Sequence, residues 1–125
     1  MGTLYTLLRE IGTEAENNAR RELSGSQSSM KALLYNMLMP LVLNFQTEDE
    51  SYHFIFQKGG SVALQRGLHD RPDVKVTGEH AELIRLLQNK DKKGFEVAER
   101  TRKIKIFAPT YKGRLAVMKL RELFL

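Results

Sequence analysis

Three histidines, a run of carboxylates and a glycine pair are the residues of this chain whose types could do chemistry. His53, His69 and His80 lie on separate stretches, at no spacing that would bring about three or four N, S or O donors onto a zinc ion. There is no cysteine, which excludes disulfides, thiolate catalysis and thiolate metal sites. His69-Asp70 has the makings of a general base with an orienting carboxylate. It sits beside Pro72 with no nucleophile at hand, so it reads as a surface loop. The serines gather in residues 24–29, without the strained turn that exposes a nucleophilic hydroxyl. Lys58-Gly59-Gly60-Ser61 is no phosphate-cradling loop and reads as a hairpin turn. Glu48, Asp49 and Glu50 adjoin in a turn where solvation is expected. These readings predict no enzyme: no catalytic residue, no metal and no cofactor.

The remaining chemical signal is charge. The net charge of +5 is unevenly placed, because residues 100–125 hold eight basic side chains and one acidic one. Arg100, Arg102, Lys103, Lys105, Lys112, Arg114, Lys119 and Arg121 form this concentration. It suits an anionic partner such as phospholipid headgroups, nucleic acid or an acidic protein. It is equally the kind of solvated face that keeps a protein soluble. A basic nucleic-acid-binding domain using the 100–121 face, with Phe107 and Tyr111 to stack on bases, is the alternative function. No ribonucleoprotein, zinc-finger or helix-turn-helix signature accompanies it, which makes nucleic acid the less expected partner.

The elements that must position these residues follow from periodicity. A length of 125 residues suits one domain. Residues 3–23 read as a helix whose Leu4, Leu7, Leu8, Ile11, Ala15 and Ala19 share one stripe. This helix is free to dock on the domain, to pair with a second copy as a homodimer, or to cover an opening. A second helix over 29–39 carries Met30, Leu33, Leu34, Met37 and Leu38 on one face and ends at Pro40. Strands are expected over 41–47, 52–57, 62–66, 73–77 and 103–107. Gly59-Gly60 predicts a two-residue hairpin turn, since glycine tolerates the positive φ required. That turn would pair Gln57 with Val62 and Ile55 with Leu64. It would put Ile55, Val62 and Leu64 on one face and Phe54, Phe56 and Ala63 on the other, with the aromatic face meeting the helices. Helices are expected over 79–89, after an Asp91 cap, and over 111–124.

On the wheel of the last helix, Ala116, Val117, Leu120, Leu123 and Phe124 share the arc that should pack on the sheet. Leu115 and Met118 fall among the charges. They would rim an opening or touch a membrane, or they are scattered surface apolar residues of the ordinary kind.

The order of these pieces resembles the sterol carrier protein type 2 family. The similarity rests on Tyr-His-Phe-Ile-Phe-Gln-Lys-Gly (52–59), Pro-Asp-Val-Lys-Val-Thr-Gly (72–78), Leu-Ile-Arg-Leu-Leu (83–87), Lys-Ile-Lys-Ile (103–106) and Met-Lys-Leu-Arg-Glu-Leu (118–123). It spans residues 41–124 of a single 1–125 domain, with 1–27 as an N-terminal helical extension. Two places depart from the family pattern, which has Gly before and after the Lys-Ile-Lys-Ile strand: here stand Arg102 and Phe107-Ala108-Pro109. The resemblance implies an α+β fold: a five-stranded, largely antiparallel sheet, helices packed on one face, an apolar tunnel between them, and here an N-terminal helix pair. It implies non-enzymatic binding and transfer of a lipid: fatty acyl, acyl-CoA, phospholipid or isoprenoid/sterol-like. By matching place, Phe45, Tyr52, Phe54, Phe56, Phe95, Leu115, Met118 and Leu123 would face the tunnel. Met30 and Met37 would add adaptable lining, since methionine fills irregular space. Arg114, Lys119 and Arg121 would meet an anionic headgroup or membrane.

No apolar run approaches the ~18 residues of a membrane span. Arg9 and Glu10 interrupt the first apolar segment, where a signal peptide would stay apolar, and Glu-Leu-Phe-Leu is not a peroxisomal address. A cytoplasmic location is the expectation.

Overall fold

Strands form where β-branched and aromatic residues recur at alternate positions. β1 (Leu41–Gln46), β2 (Ser51–Phe56), β3 (Val62–Arg66), β4 (Val74–Gly78) and β5 (Ile104–Phe107) make one sheet in the order β3-β2-β1-β4-β5. The β1–β2, β2–β3 and β4–β5 pairs are antiparallel and β1–β4 is parallel. The α+β architecture with a largely antiparallel five-stranded sheet is thus the one expected. The computed structural model describes residues 3–24 and 37–125. Among them are the helices α1 (Thr3–Ser24), α2 (His80–Asn89), α3 (Lys92–Arg100) and α4 (Tyr111–Phe124). Most of the helix expected over 29–39, with Met30, lies outside the described residues.

One face of the sheet is apolar throughout. Leu41, Leu43 and Phe45 of β1 stand opposite Phe56, Phe54 and Tyr52 of β2. Val74 and Val76 continue this face beside Leu43 and Phe45, and Ile106 stands opposite Val76. The helices pack here, as expected from the aromatic residues. α1 buries Leu4, Leu8, Ile11 and Ala19. At Gly12 it comes close enough that a Cβ would stand 3.2 Å from the Phe54 ring. Its Glu16 carboxylate accepts a 2.9 Å hydrogen bond from the backbone N–H of Val62 on the edge strand. Docking is therefore what the apolar stripe of α1 does.

The β2–β3 hairpin departs from expectation by one residue. Phe56 pairs with Val62, Ile55 with Ala63 and Phe54 with Leu64. The connection is a 3-10 turn over Lys58–Gly60, closed by a Gln57 N–H to Ser61 carbonyl bond of 2.9 Å. Gly59 and Gly60, at φ 84° and 97°, make this longer turn possible. A one-residue slip moves side chains to the opposite face. Val62 and Leu64 consequently join Phe54 and Phe56 under α1, while Ile55 and Ala63 share the other face.

That other face is partly covered by the β3–β4 connection, which must pass β2 and β1 to reach β4. Asn44 and His53, opposite one another, hold it. Asn44 exchanges two 3.0 Å hydrogen bonds with the backbone of His69. The His53 ring meets the Gly67 carbonyl at 2.9 Å and packs edge-on against His69. The His69-Asp70 loop is a structural brace.

Candidate functional site

Helix α4 is set over the sheet by a buried carboxylate. Asp73, 4% exposed, accepts from the Val42 N–H of β1 at 2.8 Å and from the Thr110 hydroxyl at 2.7 Å. Thr110 caps α4 in turn, accepting from the Gly113 N–H at 3.0 Å. The Lys112 ammonium lies 3.8 Å from Asp73. Nothing in the chain's periodicity marks Asp73. Its place after Pro72 at a strand start is the available signal, because that is where a side chain can reach both the strand and the following layer.

The other end of α4 is held by Arg121. Its guanidinium is bidentate to the Glu99 carboxylate of α3, with the longer contact at 2.9 Å, and stands 5.8 Å from the centre of the Phe95 ring. The hydrogen bond to Glu99 raises the Arg121 pKa above its ordinary value.

Between these two fixings lies an apolar cavity of about 30 Å³. Its floor is Leu43 and Phe45 of β1, Val74 and Val76 of β4 and Ile106 of β5. Its end wall is Leu87 of α2 and Phe95 of α3, and its roof is Val117, Leu120 and Phe124 of α4 with Leu125. Arg121 is the one polar residue of the lining. A second, open depression lies alongside, lined by Glu99, Arg102, Ile104, Lys105 and Ile106. It adjoins the cavity at Ile106 and at the Glu99–Arg121 pair. The space in the cavity suffices for about one water but has no polar partners to hold it. Its chemistry is therefore apolar packing, with a cation at the edge.

The residues expected from sequence fall into three groups. Phe45 and Phe95 line the cavity. Tyr52, Phe54 and Phe56 are buried in the same layer under α1, joined to the cavity by Phe54, whose ring lies 6.0 Å from Phe45 and 5.7 Å from Phe124. Leu115, Met118 and Met37 are 53%, 72% and 70% exposed and do not line it, and Leu123 is half-buried beside the core. Of the expected cationic contacts, only Arg121 reaches the cavity wall. Arg114 and Lys119 are exposed, and Lys119 lies 3.7 Å from Glu122.

In the acidic turn Glu48 and Asp49 are exposed, as expected, while Glu50 is half-buried. The Tyr52 hydroxyl donates to Glu50 at 2.5 Å, and burial with this bond pushes Tyr52 up to about 12. His80, at the start of α2, meets the Thr47 hydroxyl at 3.0 Å and stands 3.6 Å from Glu50. Glu48 accepts from the His80 backbone N–H at 2.8 Å. The turn thus ties α2 to the sheet. Among the described residues, no group of three or more His, Asp or Glu side chains converges as a metal site would require.

No protein-family model and no curated protein matches this chain. Solved structures do. UbiJ-SCP2, a ubiquinone synthesis protein, superposes with a TM-score of 0.53 at 15% identity, covering 92% of this chain and 93% of that one. Sterol carrier protein 2 like 2 from Aedes aegypti gives 0.50 at 20% identity, over 96% and 94%. The chain has the sterol carrier protein type 2 fold. The same fold also occurs inside an enzyme: the sec-alkylsulfatase Pisa1 from a Pseudomonas species matches with a TM-score of 0.52 at 18% identity, over 76% of this chain and 14% of that one. In the sterol carrier fold of the present chain, α1 extends the helical layer across β2 and β3, and α4 closes it over β1, β4 and β5. No helix among the described residues is long and apolar enough to cross a membrane.

Proposed function

We propose that this protein binds and carries a lipid between its sheet and α4, without a catalytic step. The observation that carries the reading is the cavity under α4, apolar on every side except at Arg121. The names attached to the matching structures, a sterol carrier protein and a ubiquinone synthesis protein, support a fatty acyl, acyl-CoA, phospholipid or isoprenoid/sterol-like ligand. Each methylene removed from water contributes ~0.8 kcal/mol, so a long tail supplies ample affinity.

The cavity at about 30 Å³ is far below the ~300–1,000 Å³ of a typical ligand pocket. Loading therefore requires α4 to move outward or side chains to repack. The aromatic layer offers the direction of expansion, from Phe45 and Phe124 toward Phe54, Phe56 and Tyr52. Arg121 then meets an anionic headgroup at the mouth, with Arg102 and Lys105 of the adjoining depression beside it. A homodimer through α1 would have to use the helix's polar outer face, since its apolar stripe is occupied.

Native mass spectrometry of the purified protein, followed by organic extraction and lipid identification, tests the reading. A stoichiometric acyl or isoprenoid species is the expected result. A protein that is empty and also fails to take up a fluorescent fatty acid would refute it.

A further inference from the structure

Helix α4 is apolar on two sides. Its inner residues roof the cavity, but Tyr111, Leu115 and Met118, at i, i+4 and i+7, form a second stripe that is 72%, 53% and 72% exposed. Single exposed apolar residues are ordinary; three in line on one helix make a ridge. Helical spacing puts Lys112 and Lys119 along one flank of that ridge and Arg114 and Arg121 along the other. Glu122, the only acidic residue in 100–125, continues the line of the ridge at i+11 and lies 3.7 Å from Lys119. Arg114 makes no ion pair among the described residues. Met37, 70% exposed, lies toward the start of the helix, where the Lys112 ammonium bonds the Pro40 carbonyl.

We propose that this outer face of α4 docks on an anionic lipid bilayer. An apolar ridge with basic flanks is the pattern of a helix lying in a membrane interface, where long Lys and Arg stems carry their charges up to the headgroups. A second copy of the chain fits poorly, because facing ridges would bring two strongly basic surfaces together. A ridge of side chains along a helix is convex, which suits a deformable lipid surface better than a folded partner that needs complementary shape. Docked this way, the helix that roofs the cavity lies on the bilayer. The inference goes beyond the lipid-carrier reading and stands even if the cavity holds no lipid.

Sedimentation with vesicles tests it. The protein is expected to bind vesicles of phosphatidylcholine containing about one-third phosphatidylglycerol and to ignore phosphatidylcholine alone. Binding should weaken on raising salt from ~0.1 M to ~0.5 M, as the Debye length shortens. The double variant Leu115→Glu with Met118→Glu changes exposed positions only, and should lose binding by roughly tenfold or more with an unchanged circular dichroism spectrum. Arg114→Gln with Lys119→Gln, which leaves the ridge intact, should weaken binding to anionic vesicles in the same direction. Wild-type protein that ignores anionic vesicles overturns the proposal, and so does a Glu variant that binds as well as wild type. A dimer that dissociates in the Glu variant would assign the ridge to a second copy and overturn it too. Fluorescent fatty-acid uptake by the same variants reports on the cavity alone, so the two readings fail separately.

Discussion

Gly113→Ala tests how α4 is held over the sheet. Alanine is the better helix former by up to about 1 kcal/mol, so in an unconstrained helix the change stabilises. Here an added Cβ would stand 1.9 Å from the carbonyl oxygen of Asp73 and 2.7 Å from its carbonyl carbon. Ordinary contact begins near 3.4 Å, so the start of the helix must retreat by about 1.5 Å. Asp73 cannot yield instead. Its backbone N–H is bonded to the Val42 carbonyl at 2.8 Å, and its side chain holds Val42 and Thr110. Retreat breaks the Thr110–Asp73 bond, at a cost of about 1–2 kcal/mol, and overpacking adds about 1–3 kcal/mol. Set against the gain in propensity, the net loss is about 1–4 kcal/mol. In urea, with a slope of ~2 kcal/mol per molar, the unfolding midpoint should fall by roughly 0.5–2 M. Circular dichroism measures it. A midpoint at or above that of the wild type would show that α4 is not pinned against Asp73, and the account of its placement would be wrong.

Further outcomes follow from the same contacts. Phe124→Ala removes a ring that packs 5.3 Å from Phe45 and 5.7 Å from Phe54, so it should lose about 3–5 kcal/mol. Because it enlarges the cavity, its melting temperature should rise more with added fatty acid than that of the wild type; an equal or smaller rise would place the ligand elsewhere. Arg121→Ala releases the clasp to Glu99, whose partners are 29% and 26% exposed. It should lose about 1–2 kcal/mol and load fluorescent fatty acid faster in stopped flow, and unchanged loading would argue against α4 moving. Tyr52 has a folded pKa raised from 10.0 to about 12. Its neutral form is favoured by the fold, so its contribution to stability is complete below pH 10 and is lost as pH rises to about 12. Absorbance titration should show one high tyrosine step that Tyr52→Phe abolishes.

Much of the fold was legible because it is written in local period. The stripe of α1, the alternation of Val74 and Val76, the Asp91 cap and the stop at Pro109 each depend on residues a few positions apart. Asp91 does accept from the Gly94 N–H, at 2.9 Å. Phe45 and Phe95 were candidates through the family resemblance, by matching place, and both border the space that the layers leave. Leu115 and Met118 were legible only as misfits on the wheel, which says that they are apolar and not what they face. The clasp between Glu99 and Arg121 was not legible, because its partners are 22 residues apart and each is an ordinary charged side chain on its own helix.

The amino-acid sequence by itself determined most of the described elements and the absence of cysteine chemistry, because these follow from residue type and short-range spacing; the class of fold followed from their order, through its resemblance to the sterol carrier protein type 2 family. Tertiary structure decided three things. The true length of the Gly59-Gly60 turn moved Val62 and Leu64 onto the helical face, since one residue reverses a strand's sides. The buried Asp73 joined β1 to the start of α4, a bond that exists only once the parallel β1–β4 pair has formed. The approach of α4 to the sheet then divided its apolar residues, enclosing Val117, Leu120 and Phe124 and leaving Tyr111, Leu115 and Met118 outside, because a helix can turn only one side toward a flat layer.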